Sequence, residues 1–74
     1  VGAGEQVNRQ PKYPDIAVTL AGTDGNVFGI IGRVQVALRR EVSREVGDAF
    51  AREAMGQDSY DAVLRLAMAT VTVR

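Results

Sequence analysis

From Asp15 to Leu20 apolar and non-apolar positions alternate: Ile16, Val18 and Leu20 are separated by the small Ala17 and the polar Thr19. A period of two predicts a strand with one face on a core. Ala21-Gly22 stops it. Thr23-Asp24-Gly25-Asn26 then reads as a turn, because Asp-Gly and Gly-Asn pairs favour positive φ. Past the turn the period changes. From Val27 the apolar positions fall at 27, 30, 31, 34, 38 and 42, the spacing of one helical face. The hairpin alternative, with a second strand beginning at Val27-Phe28-Gly29-Ile30-Ile31, ranks behind it. Helix 1 is expected from about Asn26 to Glu41, capped by Asp24 or Asn26. Its polar side carries Arg33, Gln35, Arg39 and Arg40.

Ser43 restarts the pattern as an N-cap, with Glu45 near the positive end of the helix dipole. Helix 2 is expected over about Arg44–Met55, with Val46, Ala49, Phe50 and Ala54 inward. Glu45, Asp48, Arg52 and Glu53 face water, and Asp48 with Arg52 makes an i,i+4 pair. Gly56 suits a left-handed cap. Asp58 or Ser59 caps helix 3, expected over about Tyr60–Ala69, with Tyr60, Val63, Leu64 and Ala67 in one stripe. Thr70-Val71-Thr72-Val73 alternates β-branched residues and predicts a closing strand that follows helix 3 without a real loop.

The expected fold class is therefore α+β: one small domain over residues 13–74, in the order β-α-α-α-β. Residues 1–12 read as a flexible N-terminal tail, polar and rich in glycine, after which Tyr13-Pro14 enforces extended backbone. The core should hold Ile16, Val18, Leu20, Phe28, Ile31, Val34, Leu38, Val46, Phe50, Val63, Leu64 and Leu66. Two short strands alone are marginal. Helices must cover one face, or a second copy must extend the sheet. Val71, Thr72 and Val73 would then form a dimer edge across a two-fold axis, and a homodimer is expected.

Several segments look familiar as a unit: Lys12-Tyr13-Pro14-Asp15-Ile16, Val18-Thr19-Leu20, Gly22-Thr23-Asp24-Gly25-Asn26, Phe28, Ile31-Gly32-Arg33-Val34, Leu38-Arg39-Arg40, then Tyr60-Asp61 and Val63-Leu64. Together they resemble a family of short uncharacterised proteins from actinobacteria and their mobile elements. The likeness covers roughly residues 12–73 and is loosest over 41–57. It implies kinship and a source. It carries over no activity and no catalytic residue.

Composition narrows the chemistry further. Nine Lys+Arg balance nine Asp+Glu, so the formal net charge is +0, which argues against a strong nonspecific grip on nucleic acid or an anionic membrane. The absence of His and Cys removes disulfides, cysteine or histidine metal sites and the usual neutral-pH base. No apolar run approaches a membrane span, and the first residues lack the pattern of a secretion signal. A cytoplasmic protein is expected.

Four groups of residues remain as candidate sites. Asp24, Gly25 and Asn26 lie between a strand and a helix, where anions bind to free N–H groups. The spacing matches no phosphate-binding fingerprint, so a tight turn is preferred, with Gly29 and Gly32 letting helix 1 approach another backbone. Arg33, Arg39, Arg40 and Arg44 could contact nucleic acid. A solvated face is the simpler reading, since Glu41 and Glu45 dilute the patch and no aromatic is interleaved. Glu45, Asp48, Asp58 and Asp61 sit at helix starts, where acids serve as caps rather than as metal ligands. Ser43 and Ser59 read as caps. Lys12, the single lysine, sits beside the tail, and Tyr13 and Tyr60 could act in proton transfer, though packing with the hydroxyl outward is the simpler reading.

These readings point to a small interaction or accessory module without catalysis, metal or cofactor, which associates with itself. A weak nucleic-acid-binding module using the arginines is the alternative.

Overall fold

The apolar spacing that begins at Val27 becomes the organising element of the fold. In the computed structural model, which describes residues 11–20 and 26–74, that spacing forms α1 (Val27–Glu41). It follows β1 (Tyr13–Val18) and precedes α2 (Arg44–Met55), α3 (Tyr60–Thr70) and β2 (Val71–Val73). The order β-α-α-α-β in a small α+β domain is the one the pattern predicts. Residues 1–10 of the expected tail, and Asp24 and Gly25 of the turn, lie outside the described residues.

Side-chain oxygens set the helix starts. Asn26 Oδ1 accepts from Phe28 N–H at 2.9 Å. Ser43 Oγ accepts from Val46 N–H at 3.1 Å, and Ser59 Oγ from Ala62 N–H at 3.0 Å. Each satisfies a first-turn donor that the helix itself cannot. The end of α2 differs from expectation. Gly56 is right-handed, with φ −84° and ψ −5°. Its N–H reaches Glu53 O at 3.1 Å, and Gln57 N–H reaches Ala54 O at 3.1 Å. The last turn tightens to i→i−3 bonding, so its carbonyls are satisfied without a positive φ.

Ile30, Ile31, Val34 and Leu38 line the buried side of α1, and Ile30, Val34 and Leu38 are fully shielded. Against them pack Phe50, Ala51 and Ala54 of α2, Val63 and Ala67 of α3, and Val18, Leu20 and Val71 from the sheet side. Ile16, Val46, Leu64 and Leu66 are only partly buried at its margin. Phe28, expected inside, is 70% exposed. It lies roughly 100° round the helix from Val27, off the buried stripe. Ala49 is exposed, and its expected place is taken by Ala51. The inward side of α2 is the one that carries Gly47, and it selects Phe50, Ala51 and Ala54.

Gly47 lets α1 and α2 touch. A Cβ there would lie 2.7 Å from Gln35 O and would collide with Arg39 Cγ. Of the two glycines expected to permit a close approach, Gly29 and Gly32, the second does not: no described heavy atom lies within 4 Å of a Cβ built on Gly32.

The two strands are parallel, with Tyr13 opposite Val71, Ala17 opposite Thr72 and Val18 opposite Val73. An irregularity between Tyr13 and Ala17 absorbs the difference in strand length. β1 begins at Tyr13 rather than Asp15 because Tyr13 meets the first residue of β2. The ladder also continues past Val18: Arg74 N–H donates to Val18 O at 2.9 Å, and Leu20 N–H to Arg74 O at 3.2 Å. Lys12 N–H donates to Ala69 O at 2.9 Å. At the other strand, α3 runs into β2 with no intervening residue. The Thr70 hydroxyl bonds back to Leu66 O at 2.7 Å, and Val71 turns extended at φ −133°, ψ 168°.

Three substitutions test this packing by urea denaturation. Gly47→Ala should destabilise by about 1–3 kcal/mol, because a backbone carbonyl must move. Gly56→Ala should stabilise by about 0.4–1 kcal/mol, since its backbone angles suit alanine. Leu38→Ala should cost about 2–5 kcal/mol, a large share of the stability of so small a domain. A Gly47→Ala variant as stable as the parent would show that the helix contact is slack.

Candidate functional site

Helix α1 turns one side to the core, and among the described residues nothing covers the opposite side. Val36, about 200° from Val34 on the helix, is 56% exposed. A shallow groove of about 610 Å³ runs between this outer side and β1. Its floor is Ala17, Val18 and Thr19 with Gly29 and Gly32, and Phe28 and Val36 are its apolar walls. Among the described residues, Arg33 and Arg40 supply its only charges. A second apolar cleft, about 520 Å³, lies where the start of α1 meets the end of α2 and the start of α3. Phe28 borders both, with Met55 and Tyr60 on the far side of the second.

The four candidate arginines do not form one patch. Arg33 donates to Thr19 O at 2.9 Å, which ties the outer side of α1 to the end of β1. Arg40 shares its groove and lies 3.7 Å from Glu41, with side chains 74% and 54% exposed. Such an exposed pair is screened and contributes little. Arg39 turns the other way, towards α2, where its Nε is 3.4 Å from Asp48 Oδ1. Arg44 is exposed at the first position of α2.

Asp48 corrects another expectation. Its partners are Arg39 and Gln35, whose Nε2 donates to Asp48 Oδ1 at 3.0 Å, and not Arg52. The approach of the helices at Gly47 brings α1 side chains within reach of the next residue, and they outcompete the i,i+4 partner on its own helix.

The remaining candidates are structural in their contacts. Ser43 and Ser59 are engaged as caps. Asn26 is exposed, but its side-chain oxygen is held by Phe28 N–H. Lys12 Nζ lies 5.9 Å from the Tyr13 ring centroid. Among the described residues no three His, Cys, Asp or Glu side chains converge as a metal site would require. Val71 is completely buried, and the Thr72 hydroxyl donates to Pro14 O at 2.7 Å. What Val71, Thr72 and Val73 offer at the outer edge of β2 is therefore backbone rather than the Val71 side chain.

The groove beside α1 is the feature that residue-by-residue reading missed. Its signal was present: Val36, an apolar residue opposite the buried stripe, and Gly32 within a helix that gains nothing from it internally. Chemically the groove provides apolar contact, guanidinium donors and strand backbone. Among the described residues it offers no acid–base pair.

Comparison with protein-family models, with curated proteins and with solved structures finds no match to this chain.

The Arg39–Asp48 pair can be measured directly. A double-mutant cycle with Arg39→Ala and Asp48→Ala should give a coupling of about 0.2–1 kcal/mol. The coupling should shrink as salt is added. Zero coupling at low salt would mean that Gln35 alone holds Asp48.

Proposed function

We propose that this chain is a small protein-interaction module that works by self-association rather than catalysis. The supporting observation is an open sheet. Two parallel strands are joined through three helices, and among the described residues neither outer edge is paired. Parallel sheets are ordinarily larger and covered, and open edges recruit further strands. The uncovered apolar positions Phe28 and Val36 beside one edge add to this. The lack of histidine and cysteine supports a role without catalysis, metal or cofactor. No helix among the described residues is long and apolar enough to cross a membrane, and a cytoplasmic setting suits the cysteine-free composition. Kinship with the short actinobacterial and mobile-element proteins remains part of the same reading.

A second reading is a weak nucleic-acid-binding module built on Arg33, Arg39, Arg40 and Arg44. One observation favours it: Arg33 and Arg40 share a groove that, among the described residues, no acidic side chain lines. The engagement of Arg39 with Asp48 weighs on the other side.

Two measurements separate the readings. Light scattering over about 10–100 µM should give twice the chain mass, a range that captures micromolar dissociation constants. A constant monomer mass would remove the self-association reading. Filter binding to duplex DNA should show little retention. Salt-sensitive retention that Arg33→Ala/Arg40→Ala abolishes would promote the arginine reading.

A further inference from the structure

We draw no further inference here: the strongest candidate, the apolar cleft of about 330 Å³ between α2, α3 and the start of β1, with Lys12 and Glu53 among its lining residues, carries nothing because its walls single out no ligand and nothing in the structure shows what covers it.

Discussion

Ile30, Ile31, Val34 and Leu38 give every other element of the domain a common surface. α2 covers them with Phe50, Ala51 and Ala54, α3 with Val63 and Ala67, and the sheet with Val18 and Val71. That arrangement holds only if α1 and α2 approach closely, and Gly47 is where they do. The consequences spread outward. Asp48, the next residue, comes within reach of Gln35 and Arg39 and binds both. The short link at Val42–Ser43 is tied down as well: both N–H groups donate to Leu38 O, at 2.8 and 3.1 Å. One missing methyl group thus permits a helical hairpin in which polar and apolar contacts agree.

The second constraint is strand direction. Parallel neighbours cannot be joined by a tight turn and need a crossover of a dozen residues or more. Here three helices make that connection. The chain ends α3 abruptly to satisfy the geometry. Thr70 and Val71 are β-branched and disfavour further helix, and Val71 passes directly from the helix end into both the core and the ladder. At the opposite end, Thr72 closes on Pro14, joining segments far apart in the chain. Proline lacks an N–H, but its carbonyl remains available to the hydroxyl.

What the helices leave uncovered bears on function. A sheet of two strands has as many open edges as strands, and α1 presents apolar residues both inward and outward. The inward set is a continuous stripe. The outward set is sparse and interrupted by glycine and arginine, a pattern that suits contact with another surface better than burial within one small domain. The described residues at that side offer backbone hydrogen-bonding groups, guanidinium donors and modest apolar area.

The type, order and approximate limits of all five elements were legible in the sequence, because periodicity and capping are local. Ser43 and Ser59 mark helix starts through bonds that span three residues, and the alternation of Val71 to Val73 is visible in its own window. Tertiary structure decided everything that depends on distant segments. It made the strands parallel, turned Phe28 outward, chose Arg39 over Arg52 as the partner of Asp48, and placed the tight helix contact at Gly47. It also left Gly56 right-handed, where composition suggested otherwise. The candidate groove belongs to this second group, since it exists only where β1 and α1 flank each other. A residue's helical or extended preference is set by its neighbours in the chain. Which side of a helix is buried, and which edge of a strand stays open, depends on segments that packing brings together from far along it.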